Sequence, residues 1–325
     1  MKKIKRIGLL TSGGDAPGMN ACIRAVVRTA LTKGIDVMGI KRGYEGLING
    51  DIKKMERMSV SNIIHLGGTI LGTSRCEEFK TKEGRKKAAE NMRKHKIDAL
   101  VVIGGDGSFR GAKEFSDETG IPVMGIPGSI DNDIYGTDYT IGFDTALNTA
   151  LDAVDRIRDT ATSHERIFYV EVMGRLSGFI ALESAIAGGA ETVIIPETKT
   201  NVADIAHLIE TSYKKGKRSI IIIVAEGDEA GNAFQIAQKV YERTKLDYRV
   251  CVLGHVQRGG KPTARDRILA TKLGYYAVEG LVEGKRNVIV GELKGEIVFT
   301  PLEEVVSRKK VLNAKLSFLV ELLGK

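Results

Sequence analysis

The feature that most restricts this chain is an alternation. Short runs rich in β-branched and apolar residues recur at 4–10, 36–40, 98–104, 121–126, 166–172, 192–196, 219–225 and 249–254. Between them lie longer stretches with helical spacing. In 145–158, Leu147, Ala150, Leu151, Val154 and Ile157 fall on one face of a helix. In 201–213, Val202, Ile205, Leu208 and Ile209 do the same behind Asn201, a good N-cap residue. Strands alternating with helices predict βαβ units and a mostly parallel, doubly wound sheet. In such folds ligands bind at the carboxyl ends of the strands, so the loops after each run are the places to look for chemistry.

Other features bound the class. A chain of 325 residues suits one large or two moderate domains. The longest aliphatic run, Ile220–Ala225, is far too short to span a bilayer and suits a buried strand. The opening MKKIKRIGLLTSGGD imitates a signal peptide, but Arg6 breaks its apolar part and Thr11 ends it. Three cysteines, Cys22, Cys76 and Cys251, show no CxxC spacing, so neither a disulfide framework nor a Cys-rich zinc site is expected. The expected location is the cytoplasm, with no membrane partner. The formal net charge is +8, yet the basic residues are scattered and aromatics are only 6% with no Trp. Nucleic acid is therefore not expected as a partner. Anionic small ligands or a lysine-rich solvated surface account for the charge instead.

Five Gly-Gly pairs occur, at 13–14, 67–68, 104–105, 188–189 and 259–260. The pairs at 13–14 and 104–105 follow strong strands and precede helices, where backbone N–H groups can face an anion. The pairs at 67–68 and 188–189 read as turn punctuation. Neither GxxxxGK[ST] nor GxGxxG is present, so a nucleotide would need other phosphate-binding loops. TSGGDAPGMN (11–20) offers amides to phosphate oxygens. In IGGDGSFRG (103–111), Asp106 beside a polyphosphate calls for a cation such as Mg²⁺; the competing reading is a helix N-cap. In PGSIDND (127–133), Asp131 and Asp133 are two apart and project to one side of an extended segment, where they can hold a cation or divide the roles of base and metal ligand. Arg166, Arg175, His255 and Arg258 lie at or beside other strand ends, and arginine forks match phosphates. Glu226 ends IIIIVAEG and suits sugar hydroxyls, unless it is a solvated strand end. Together these parts specify phosphoryl transfer from a nucleotide to a hydroxyl of an already phosphorylated acceptor.

At these residues the chain resembles the bacterial ATP-dependent 6-phosphofructokinases. GGDAPGMN, GGTILGTSRCEEF, GGDGS, PGSIDND, TSHERIF, EVMGR, AGGAE, IIVAEG and GHVQRGGKPTA occur in that family's order along essentially the whole chain. The resemblance implies two doubly wound α/β domains with mostly parallel sheets and an active site in the cleft between them. It implies an ATP-binding domain at 1–141 plus 257–305 and a fructose 6-phosphate-binding domain at 142–256 plus 306–325. The implied reaction is Mg²⁺-dependent transfer of the ATP γ-phosphoryl to the 1-hydroxyl of fructose 6-phosphate. Asp131 would be the base. Asp106 would hold Mg²⁺ with Asp133 close to it. Arg175, Ser129 and the amide of Gly14 would stabilise the moving phosphoryl. Arg75 would contact nucleotide phosphates, with Tyr44, Cys76, Phe79, Gly107 and Ser108 around the nucleotide. Met173, Gly174, Glu226, His255 and Arg258 would hold the sugar phosphate, with Arg166 and Arg249 reaching it from a neighbouring subunit of a homotetramer.

An effector site for ADP or phosphoenolpyruvate would draw on Arg24, Arg28, Arg57, Arg158, Glu191, Lys215 and Lys217. The chain departs from the family at two positions: Ser129 stands where Thr is usual, and Lys215 where many members have Arg, which loses the bidentate fork. Members that use pyrophosphate carry Asp at the position of Gly107 and Lys at that of Gly128, so ATP is the expected donor. Two other readings compete. A non-catalytic nucleotide- or sugar-phosphate-binding regulator would be expected to have lost a carboxylate, whereas Asp106, Asp131 and Asp133 are all present. A lipid- or NAD-kinase relative rests on GGDG alone.

Overall fold

The structure is a computed structural model that describes residues 4–324. In chain order the elements are β1 (Arg6–Ser12), α1 (Met19–Thr32), β2 (Asp36–Ile40), α2 (Gly43–Asn49), β3 (Ile52–Met55), α3 (Lys82–Lys94), β4 (Ala99–Gly104), α4 (Asp106–Thr119), β5 (Val123–Pro127) and α5 (Phe143–His164). There follow β6 (Ile167–Val172), α6 (Phe179–Gly188), β7 (Thr192–Ile194), α7 (Val202–Lys214), β8 (Ile220–Ala225), α8 (Ala233–Thr244), β9 (Tyr248–Val252), α9 (Ala264–Val282), β10 (Val288–Leu293), β11 (Glu296–Pro301), α10 (Leu302–Ser307) and α11 (Ser317–Leu323). All eight expected strands form, and the two expected helices lie within α5 and α7. Asn201 caps α7: its side chain accepts from the Ala203 N–H at 3.0 Å.

The chain divides into two compact units, Met1–Thr145 with Arg258–Lys310, and Ala146–Gln257 with Val311–Lys325. The first carries a seven-stranded sheet in the order β11-β10-β5-β4-β1-β2-β3. Its five central strands run parallel, while β3 and β11 pair antiparallel at the two edges. The chain leaves β1 for β2 on one side and later fills β4 and β5 on the other. The carboxyl ends of β1 and β4 therefore flank a switch point, the place where an open α/β sheet receives ligands. The second unit carries a parallel four-stranded sheet, β7-β8-β6-β9. Its aliphatic run Ile220–Ala225 is fully buried as β8, as a strand covered on both faces must be.

Three strands lie beyond those expected: β3, β10 and β11. The last two form a hairpin closed by Lys294 (φ 52°) and Gly295 (φ 84°), the paired left-handed residues of a tight two-residue turn. One buried carboxylate fixes the approach to α5. Asp266, on α9, accepts from the Gly142 N–H at 2.8 Å, the Thr145 N–H at 2.8 Å and the Thr145 hydroxyl at 2.5 Å. Burial pushes its carboxyl upward against these donors.

Candidate active site

In the first unit the chemistry gathers at the carboxyl ends of β1, β4 and β5, which are neighbours in the sheet. The loop after β1 turns at Gly13 (φ 83°), and a Cβ on Gly14 would stand 1.5 Å from Nη2 of Arg258. The guanidinium thus lies directly on that glycine. It also donates to the Asp15 carbonyl at 3.2 Å and stands 3.5 Å from the Asp15 carboxylate. Two residues expected in different roles, Gly14 for the moving phosphoryl and Arg258 for the sugar phosphate, are brought into contact.

After β4, Gly105 is the N-cap of α4 and Asp106 its first residue, which removes the N-cap reading of Asp106. The carboxylate is paired with Arg110 at 3.0 Å, one turn on, and is 40% exposed, so it remains accessible to a cation. Gly107 is exposed, and a Cβ there would meet nothing within 4 Å. Gly128 differs: its Cβ would press on Ile103 and Met19, both at 3.1 Å. Room for a larger group is therefore open at 107 and tight at 128. Ser108 is buried. Arg75 is exposed, and Cys76 is partly buried against the core, which raises its thiol. Tyr44 and Phe79 are buried and stacked with centroids 3.8 Å apart. The Tyr44 hydroxyl donates to the Ser108 carbonyl at 2.6 Å, and burial pushes it far up. The pair backs α4 at Gly111, where a Cβ would meet Phe79 at 3.3 Å and Tyr44 at 3.5 Å; it forms a wall rather than a free aromatic surface.

The loop after β5 corrects one expectation. Asn132, between Asp131 and Asp133, has φ 55°, in the left-handed region. The segment is not extended, so strand alternation does not place the two carboxylates on one side. Asn132 shapes the loop: its amide oxygen accepts from the Thr140 N–H at 3.0 Å, and its nitrogen donates to the Asp138 carbonyl at 3.3 Å. The Ser129 hydroxyl accepts from the Asp131 N–H at 3.2 Å, and the Thr140 hydroxyl donates to the Ser129 carbonyl at 2.5 Å. Asp131 is 6% exposed, and Asp133 is half-buried.

In the second unit the loop after β6 is held in an unusual conformation. Gly174 has φ 146° and Arg175 φ 54°. The Met173 N–H donates to Oε1 of Gln257 at 3.0 Å, and the Arg175 N–H donates to Oε1 of Glu226 at 2.8 Å. A Cβ on Gly227 would stand 1.7 Å from the Arg175 carbonyl oxygen, so only glycine permits this approach. Glu226, expected to meet sugar hydroxyls, also positions the Arg175 backbone. Arg175, Arg249 and His255 are exposed, while Arg166 is half-buried. The Arg249 side chain turns back on the Tyr248 carbonyl at 2.7 Å.

The residues expected at an effector site fall into two groups. Arg24 and Arg28 lie four apart on α1, where burial and then the charge of Arg28 depress the Arg24 guanidinium, and Arg57 donates to the Thr32 hydroxyl at 2.9 Å. In the second unit Arg158 donates to the carbonyls of Gly188 and Gly189, at 2.5 and 2.8 Å. Glu191 is buried and paired with Lys217 at 2.8 Å, and Lys217 donates to the Gly324 carbonyl at 2.6 Å. Lys215 and Lys217 line a cavity of about 720 Å³ whose walls include His207, Thr211 and Glu321. Residue patterns alone did not single out Gln257 or Asp15; both sit inside motifs quoted for their neighbours, and only the folded contacts distinguish them.

Comparison with known proteins identifies the family. Residues 6–281 match the family model described as phosphofructokinase. The ATP-dependent 6-phosphofructokinase 1 of Thermus thermophilus is 55% identical over 99% of this chain and 100% of that protein. The ATP-dependent 6-phosphofructokinase 2 of Bacteroides thetaiotaomicron is 56% identical over 97% of each. Among solved structures, phosphofructokinase from Saccharomyces cerevisiae superposes with a TM-score of 0.89 at 41% identity over 93% of this chain, which spans 45% of the yeast chain. A match across most of the chain, with relatives more than half identical over nearly their whole length, leaves one assignment: the chain belongs to the phosphofructokinase family.

Proposed function

We propose that this chain transfers the γ-phosphoryl of ATP to the 1-hydroxyl of fructose 6-phosphate, giving fructose 1,6-bisphosphate and ADP. The observation that carries the reading is the adjacency of β1, β4 and β5, whose carboxyl ends bring the Gly13–Gly14 loop, Asp106 and Asp131 to one end of one sheet. Asp131 is the base. It takes the proton of the 1-hydroxyl as that oxygen bonds to the γ-phosphorus and the bond to the ADP oxygen breaks. The Ser129 hydroxyl, which orders the Asp131 backbone, the Gly14 amide and Arg175 serve the charge on the phosphoryl in flight. Arg75 and the 104–108 turn hold the nucleotide phosphates, against the wall that Tyr44, Phe79 and Cys76 back. Met173, Gly174, Glu226, His255 and Arg258 hold the sugar phosphate. In this assignment the first unit binds the nucleotide and the second most of the sugar phosphate.

Mg²⁺ takes one or two carboxylates plus phosphate oxygens, so it needs no closed protein cage. Asp106, partly exposed at the start of α4, fits that requirement, and Asp106 with Asp133 would hold the ion. When bound it neutralises charge on the nucleotide phosphates. Among the described residues no group of three or more His, Cys, Asp or Glu side chains could enclose a metal, which is compatible with such an open site.

The open space at Gly107 supports ATP over pyrophosphate, since an Asp there would repel the α-phosphate of the nucleotide. Regulation by ADP and phosphoenolpyruvate at the arginine and lysine set, a homotetramer with Arg166 and Arg249 supplied to a neighbour's site, and cytoplasmic residence complete the proposal. Among the described residues no helix is long and apolar enough to cross a membrane. Steady-state rates with ATP and with pyrophosphate, each with fructose 6-phosphate, test the reading. Turnover with ATP is expected; turnover with pyrophosphate alone would overturn the donor assignment.

A further inference from the structure

We infer that Gln257 is a positioning residue for the sugar-phosphate loop Met173–Arg175, an inference that rests on the reaction proposed above. Gln257 is fully buried, and its Oε1 accepts the Met173 N–H at 3.0 Å. Its Nε2 has no partner among the described residues. Packing alone does not explain such a residue: Leu or Met would fill the volume without burying an unpaired donor. The amide is explained by the one bond it makes, to a loop whose own backbone bond, Ser177 N–H to the Gly174 carbonyl at 3.0 Å, leaves the Met173 N–H to be held from outside. Arg175 at φ 54° is a costly backbone state for a residue with a Cβ and persists where surroundings impose it, next to Gly174 at φ 146°, a conformation that glycine allows.

Two acceptors and one glycine from outside the loop are among those surroundings. Gln257 ties the loop at Met173, Glu226 ties it at the Arg175 N–H, 2.8 Å away, and Gly227 lets the β8 end close onto the Arg175 carbonyl. Held at both ends, the loop presents the Met173–Gly174 backbone to the sugar phosphate and fixes where the Arg175 side chain departs. Gln257 also sits between His255 and Arg258 in one short helical turn, Gly254–Arg258. A single amide therefore links the two sequence segments assigned to the same substrate.

The test is Gln257→Met in the full chain, which keeps the volume and removes the acceptor. The expected result is a fall in kcat/KM for fructose 6-phosphate of about tenfold or more, with the KM for ATP within about twofold of the parent. Hydrogen exchange of a peptide spanning residues 172–177 is expected to accelerate, while peptides from β1 and α1 stay unchanged. Unchanged fructose 6-phosphate kinetics, or an equal loss toward both substrates, overturns the inference. If the Met variant does not fold, Gln257→Glu keeps an acceptor at the same reach. Parental exchange at 172–177 in that variant supports the clamp, and accelerated exchange overturns it. A parent chain that does not phosphorylate fructose 6-phosphate with ATP sinks the proposed reaction instead, and the exchange measurement still reads the clamp separately.

Discussion

At the scale of single residues, the loop after β5 separates roles that its composition leaves merged. Asn132 is structural, Ser129 orders the backbone of Asp131, and Asp131, the proposed base, is the buried carboxylate. Replacing Asp131 by Ser should lower kcat by about two to four orders of magnitude with far smaller changes in either KM, as expected of a group that acts in the transition state. A near-parental kcat in steady-state assays would move the base elsewhere. Gly107→Asp makes a complementary prediction. The position is open and lies in the first turn of α4, where an acid is favoured, so stability should hold or rise while kcat/KM for ATP drops. Thermal unfolding run beside the kinetics separates the two effects. These residue types and their order could be read from the chain. The contact of Arg258 with Gly14 and the commitment of Glu226 to the Arg175 backbone could not, because each joins segments far apart in sequence.

At the scale of elements, α3 is fastened to α4 by one buried arginine. Arg85 is 5% exposed; it makes a two-pronged pair with Glu118, at 2.7 Å on each prong, meets Glu114 at 2.7 Å, and donates to the Phe79 and Lys80 carbonyls. Arg85→Met removes the charge and leaves two carbonyls without that donor. Because both glutamates are partly exposed, the loss should be about 2 kcal/mol rather than that of a fully buried pair, measured by urea unfolding. The pH dependence follows from Glu118, whose carboxyl Arg85 holds below its ordinary range. A carboxylate depressed in the folded state stabilises above its unfolded pKa, about 4.3, and that contribution fades as pH falls through the folded value. Unfolding free energy should therefore drop from about pH 5 downward in the parent, and less steeply in Arg85→Met. Elements with strong periodicity or a clear cap, such as α7 behind Asn201, were legible. The β10–β11 hairpin was not: its turn is Lys-Gly rather than the Asn-Gly or Asp-Gly that most clearly marks a two-residue hairpin.

At the scale of the whole molecule, the proposal makes the site depend on more than one copy. A tetramer in solution is expected by light scattering. If Arg166 serves a neighbour's site, mixing inactive Asp131→Ser subunits with inactive Arg166→Ala subunits should restore activity above that of either parent, because some mixed sites combine both intact residues. No restoration after subunit exchange would place Arg166 in its own subunit's site or outside the chemistry.

The sequence by itself determined the fold class, the positions of the central strands, the family and the residue types available for phosphoryl transfer. Those are encoded locally, in periodicity, caps and short motifs read along the chain. Tertiary structure alone decided which of these residues touch. It placed a left-handed Asn132 between two acids expected on one side, showed that a Cβ is crowded at Gly128 and free at Gly107, and gave Gln257 its partner. Such facts arise from strand order and long-range packing, and no local pattern carries them.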